Sequence, residues 1–215
     1  MTPVEMPGML NWVMMGLLMT VALLATCFTR VIVVLGLLKQ AIGAQQPPPQ
    51  VVFALSLLIT VVVMAPVYTD VYSRAIEPYS AGQLDAQAAI GAGEGPVRAF
   101  MIRQLENTSN RGDVRLFLPK KLARDSELAW RDVPTAALVA GFVISELKIA
   151  FIIGVQIFLP FVVIDLLVAT VLTSMGMLML PPVLISLPLK LLMFVLADGW
   201  HRVAGTLMQS VGWSG

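Results

Sequence analysis

TAALVAGFVISELKIAFIIGVQIFLPFVVIDLLVATVLTSMGMLMLPPVLISLPLKLLMFVL, residues 135–196, is apolar along 62 residues and yet contains Glu146, Lys148, Asp165 and Lys190. An ionised side chain at mid-membrane costs from about 2.5 kcal/mol on insertion scales to more than about 10 on an isolated helix, so these groups must be held against protein or water. A single helix of this length would extend about 93 Å at 1.5 Å per residue, so the stretch folds back at least once. Pro160 and the Pro181–Pro182 pair are the expected break points.

The whole chain agrees with a bilayer setting. Of its 215 residues, 58% are hydrophobic and only 13% charged, and the mean hydropathy is +0.85, outside the range of soluble domains. Fourteen Lys and Arg stand against 13 Asp and Glu, which gives no nucleic-acid footprint and no polybasic surface patch. One cysteine, Cys27, cannot close an internal disulfide, and one histidine, His201, cannot supply a clustered zinc site; no cofactor is implied.

Working outward, the apolar pattern runs from Met9 to Leu38, interrupted by Thr29 and Arg30, and is followed by Lys39 and the run Gln45, Gln46, Pro47, Pro48, Pro49, Gln50. Three prolines force a turn there. The first ten residues carry Glu5 and no Lys or Arg, and no A-x-A-like cleavage site follows, so Met9–Phe28 reads as a retained span of about 20 residues. Val51–Thr69 is the next span, with Pro66 near its end, and the two form a helical hairpin. Asp70–Pro134 differs: nine basic and nine acidic residues fall in 65 positions, as expected of an aqueous domain. Pro78, Gly82 and the run Gly91–Pro96 read as loop, and Val97–Leu105 as a short amphipathic helix bearing Phe100, Met101 and Leu105. The glycine run resembles a phosphate loop only superficially, because no strand precedes it and no Lys-Ser/Thr follows. The expected fold is therefore an all-α membrane protein with about four long, proline-broken apolar helices in two hairpins, divided at 9–69, 70–134 and 135–215, the middle part being a small, mainly helical insertion.

Two features of residues 135–196 could carry function. Glu146 and Lys148, two apart, lie on different helix faces and do not satisfy each other. Lys190 is the available cation for Glu146 if the chain folds back at its prolines, and Asp165 is expected to find its partner on another subunit; snorkelling from a helix end is the other way to keep Lys190 wet. Met175, Met177 and Met179 alternate with Gly176 and Leu178, and in an extended segment all three would point one way. Flexible, polarizable methionines contributed by several copies could seal an opening and deform around a passing chain, but methionine is equally a gap filler of apolar cores, and spacing alone leaves both readings open. Catalysis finds little support: Asp165 and Asp198 lack the Gly-x-Gly-Asp pattern of intramembrane aspartyl proteases, and no nucleophile elbow occurs. A proton- or solute-coupled transporter is the alternative class, since intramembrane acids often form proton relays.

Several segments taken together resemble the FliP family, the core subunit of the flagellar type III secretion export gate, related to SctR of injectisomes. They are CFTRVIVVLGLLK (27–39) with Gln45–Pro48, VMAPV (63–67), ISELKIAF (144–151), FLPFVVID (158–165) and Ser174–Trp200; FMIRQ (100–104) is the main match in the charged middle. The resemblance implies about five copies assembling with FliQ-like and FliR-like subunits into a pore, next to FlhB-like and FlhA-like export proteins, through which unfolded flagellar proteins pass. It places a gasket at Met175, Met177 and Met179, slightly thinner than usual because Leu178 stands where methionine is common. It puts buried charges at Glu146 and Lys190, with Asp165 at another charged position. Thr29–Arg30 and Leu-Gly-Leu-Leu (35–38) favour the flagellar branch, most of whose members begin with a cleaved signal peptide. Arg30 and Lys39 flank the proline turn and favour its placement in the cytoplasm; residues 70–134 would then be periplasmic in a bacterial inner-membrane protein of the basal body.

Overall fold

The computed structural model describes residues 6–43, 48–123, 128–177 and 179–212. All regular elements among them are helical: α1 Met6–Leu24, α2 Phe28–Ile42, α3 Pro49–Val71, α4 Glu77–Ser80, α5 Ala86–Asn107, α6 Arg111–Arg115, α7 Lys120–Ala123, α8 Thr135–Ser174, α9 Val183–Leu196 and α10 Gly199–Ser210. A π turn, Tyr72–Ile76, joins α3 to α4, and a 3-10 turn, Trp130–Asp132, precedes α8. Pro49–Ser80 and Thr135–Ser174 are long and apolar enough to cross a membrane. Two bent pairs qualify if each counts as one span: Met15–Leu24 with Phe28–Ile42, and Val183–Leu196 with Gly199–Ser210, the latter bent by 64°. The chain is thus an all-α membrane protein. At 1.5 Å per residue the 40 residues of α8 reach about 60 Å, twice the roughly 30 Å of a hydrocarbon core. Only 22% of its most apolar stretch is buried, so lipid or other proteins must cover the rest.

The chain forms two compact units, Met1–Phe28 with Met64–Glu146, and Thr29–Val63 with Leu147–Gly215. These boundaries do not follow the hydropathy boundaries at 69/70 and 134/135.

In the first unit, the turn between α1 and α2 is made by Thr26, whose hydroxyl donates to the Leu23 carbonyl at 2.6 Å and accepts the Phe28 N–H at 3.2 Å. Short hydroxyl side chains compete in this way with the helix ladder. The charged segment is more helical than its composition suggests. Asp85 caps α5 by accepting the Ala88 N–H at 2.7 Å, and the helix then runs straight through Gly91–Pro96, the stretch expected to be loop. Gly93 gives the reason: a Cβ there would stand 3.3 Å from Ala75 Cβ and 3.7 Å from Val71 Cγ1, so the missing side chain lets α5 pack closely on the π turn. Val97–Leu105 is helical as expected, but as the latter part of the 22-residue α5.

Phe100, Met101, Leu105, Val114, Leu138 and Phe142 form the core of this unit, with Phe100 and Phe142 edge-to-face at 6.0 Å. Polar contacts pin the segment before α8 onto α5. Arg98 donates to Thr135 Oγ1 and the Trp130 carbonyl, both at 2.7 Å, and to the Val133 carbonyl. Trp130 Nε1 donates to Glu106 at 2.6 Å while the Arg111 guanidinium stacks 4.7 Å above its ring. Hydrogen bonds made by a charged group contribute about 1.5–3 kcal/mol each and are not additive. Replacing Arg98 with Ala should therefore release residues 130–135, read as faster amide exchange there while α5 stays protected; unchanged exchange would show that the clamp is redundant.

In the second unit, α2 and α9 pack on the later part of α8, and α10 packs on α2 and α9. Gly154 sits against Leu37, whose Cδ1 would be 2.2 Å from an added Cβ. Phe194 lies between Phe161 and Trp200, with centroids at 6.3 and 5.5 Å. Its ring occupies the space beside Gly199, where Asp198 in the left-handed conformation (φ 50°) turns the chain from α9 into α10.

Two expectations about breaks need correction, and one falls where nothing can be said. Pro160 does not end a helix; it lies within α8 with both it and Gln156 exposed, so its ring meets no packed neighbour and only one backbone bond, to the Gln156 carbonyl, is lost. The second span does not stop at Thr69 but continues helical to Ser80. The Gln45–Pro47 part of the expected proline turn lies outside the described residues, and α3 starts at Pro49, where a proline's missing N–H costs nothing.

Candidate functional site

The fold-back occurs between α8 and α9. Gly176, with φ +75°, closes α8: its N–H bonds to the Thr173 carbonyl at 3.1 Å and the Met177 N–H to the Leu172 carbonyl at 3.0 Å. This is a Schellman cap, which requires a left-handed residue and therefore favours glycine. Pro181 and Pro182 then start α9, the Ser186 N–H bonding back to the Pro182 carbonyl at 2.9 Å. The expectation of an extended segment with three methionines on one side is corrected by this geometry. Met175 belongs to the cap; Met175 and Met177 line an apolar hollow of about 430 Å³ with Leu172, Ile185 and Leu189, whereas Met179 is 98% exposed. Leu178, the fourth gasket position, lies outside the described residues.

The α8–α9 hairpin brings together two of the charges singled out in the sequence. Lys190, 6% exposed, donates to Asp165 Oδ2 at 2.6 Å and to the Ala41 carbonyl near the end of α2 at 3.1 Å. Asp165, expected from the sequence to find its partner on another subunit, thus has one within its own chain. The Ser186 hydroxyl, one turn before Lys190, is buried. Glu146 is fully buried in the first unit, next to Ser145, whose hydroxyl accepts from Asn110 Nδ2 at 2.9 Å. Lys148 is exposed.

One buried charge escaped the sequence reading. Arg30, used there for the resemblance and for topology, is fully buried and is the largest such side chain; it donates to the Ser210 carbonyl and, at 3.2 Å, to Ser210 Oγ, tying α2 to α10. Its position inside an apolar run was the available signal, the same one that singled out Glu146 and Lys190. No group of three or more potential metal ligands occurs among the described residues.

The profile of the FliP family matches residues 12–207. A flagellar biosynthetic protein FliP of Caulobacter vibrioides is 44% identical over 209 residues, 96% of this chain and 76% of that protein. The protein of the same name from Pectobacterium carotovorum is 47% identical over 190 residues, covering 87% and 71%; that from Bacillus subtilis is 40% identical over 191 residues, covering 88% and 84%.

Proposed function

The chain belongs to the FliP family, and from that premise we propose that it is a pore-forming core subunit of the flagellar type III protein-export gate, whose methionine turn closes the lumen. The observation that carries the reading is the α8–α9 hairpin. It projects apolar, flexible side chains from a turn stiffened by a glycine cap, and an ion pair behind the turn holds its two arms in register. A constriction of apolar side chains excludes ions because water and ions leave it more readily than they enter. Methionine suits a seal that must also yield, since its unbranched side chain adapts to whatever passes. The subunit acts without catalysis, and the energy for transport comes from elsewhere. About five copies would form the ring, with FliQ-like and FliR-like subunits, beside FlhB-like and FlhA-like proteins and with exported flagellar proteins in transit. In this reading the protein sits in the bacterial inner membrane, residues 9–69 and 135–215 form the two apolar hairpins, and residues 70–134 face the periplasm. Glu146, Asp165 and Lys190 serve to hold the subunit's shape rather than to relay protons, which sets this reading apart from a transporter.

Changing Met175, Met177 and Met179 together to Ala in the assembled gate should raise ion conductance across the membrane. Because Met175 and Met177 line the hollow while Met179 is 98% exposed, Met179→Ala alone should account for most of the rise. Conductance equal to that of the unmodified gate would overturn the seal.

A further inference from the structure

The hollow beside the methionine turn, about 430 Å³ in volume, has no polar surface. The buried Val168 and Leu172 of α8 form its floor, Ile185 and Leu189 of α9 add a second wall, and Met175 and Met177 complete it at the turn. Water needs two to four polar partners to be held in a cavity, and an apolar one of this size has none to offer. The hollow is therefore a seat for an apolar group.

Met179 is the matching feature. It stands two residues beyond Met177, yet it is so exposed that its own chain leaves it outside the hollow that Met177 lines. Seat and side chain thus belong to one turn, and each is unmatched. In a ring of identical copies, rotation about the axis changes no atom's height, so Met179 of one copy reaches the level at which the next copy carries its hollow. Such a head-to-tail contact, joining different patches of the same surface, is the kind that closes into a ring. A lipid chain or a helix of another protein laid in the hollow would leave Met179 bare, whereas the neighbouring turn covers both surfaces with one contact. Methionine's unbranched, polarizable side chain can enter such a seat and leave it again.

We propose that Met179 of each copy seats in the hollow of the adjacent copy, against Leu172, Ile185 and Leu189, so that the seal is a ring of interlocked turns rather than methionines meeting at the axis. This rests on the gating function proposed above and names the contact through which the lumen closes.

Cysteine pairs in the assembled gate test it. Disulfides form where Cα atoms come within about 7 Å. Met179→Cys combined with Leu189→Cys should give, on oxidation, linked products larger than a dimer, because each copy carries both halves of the contact. Copies bearing Met179→Cys alone, mixed with copies bearing Leu189→Cys alone, should give dimers. Neither single variant by itself should link beyond the unsubstituted chain, whose Cys27 is buried. Self-linkage of Met179→Cys to the same extent as the pair would place the methionines at the axis and overturn the interlock while leaving the seal in place. A disulfide closed within one chain, or no linkage of the double variant, would overturn it too. Failure of the gating reading is seen separately, as unchanged conductance of the triple alanine variant. If the cysteine variants do not assemble, photo-methionine in the otherwise unsubstituted chain, assembled from unlabelled and isotopically labelled copies, decides. Attachment of residue 179 to α8 or α9 beside the hollow of the other isotope supports the interlock, and attachment elsewhere or only within its own copy overturns it.

Discussion

Lys190→Glu should prevent recovery of the assembled protein, whereas Asp165→Asn should cost far less. The two ends of the pair sit in different surroundings: the side chain of Lys190 is 8% exposed and that of Asp165 45%. Removing one member of a buried ion pair costs about 3–5 kcal/mol, and Lys190→Glu goes further by setting two carboxylates together and taking the donor from the Ala41 carbonyl. Asp165 is screened by its exposure, and asparagine can still accept from the ammonium, so its replacement should cost about 1 kcal/mol or less. The double change Asp165→Lys, Lys190→Glu rebuilds the pair but leaves Ala41 without its donor, so it should recover part of the stability. Thermal midpoints and yields in detergent read all three. If Asp165→Asn is as damaging as Lys190→Glu, or the double variant is no better than Lys190→Glu alone, the contact does not work within one chain.

Why Lys190 takes Asp165 can be stated in terms of the hairpin. Asp165 lies nine residues before the end of α8 at Ser174 and Lys190 seven after the start of α9 at Val183, so folding back between the two helices brings them level. The expected pairing of Glu146 with Lys190 rested on a fold-back at the prolines of this stretch, Pro160 and Pro181–Pro182. A proline in an apolar helix is ambiguous from sequence, because the outcome depends on whether its ring faces packed neighbours or open surface. The glycine at 176 carried the better signal, since a Schellman cap both ends a helix and fixes where its partner can begin.

Hydropathy made the helical membrane class and the approximate spans legible, and the cost of buried charge pointed to Glu146, Asp165 and Lys190. It left Arg30 unremarked as a buried charge because that residue was read as a family motif and an orientation signal. The glycine run in α5 was misjudged for a different reason. Glycine lowers helix propensity by roughly 1 kcal/mol, and what outweighs it, the close contact of Gly93 with Ala75, joins residues 18 apart in sequence. The partition into two units is illegible for the same reason. It divides α3 between Val63 and Met64 and α8 between Glu146 and Leu147, positions unmarked by any change in hydropathy.

Gly141→Ala puts local propensity and tertiary contact in direct opposition. Within α8, alanine should favour the helix by about 0.5–1 kcal/mol. An added Cβ would stand 2.5 Å from Val114 Cα and 2.8 Å from Val114 N, backbone atoms of α6 that no rotamer change can move aside. Val114 is itself 1% exposed, so α6 must lift from α8 and open the core around it. Overpacking of this kind costs about 1–3 kcal/mol and occasionally more, so the substitution should lower the thermal midpoint despite the better helix former. Gly91→Ala in α5 is the matched control: nothing lies within 4 Å of its added Cβ, and there the midpoint should rise. A rise for both would mean that α6 does not pack on α8 as described. A fall for both would mean that the glycine run of α5 is not helical. Opposite signs would show that Gly141 is required because α6 approaches α8 more closely than any side chain permits.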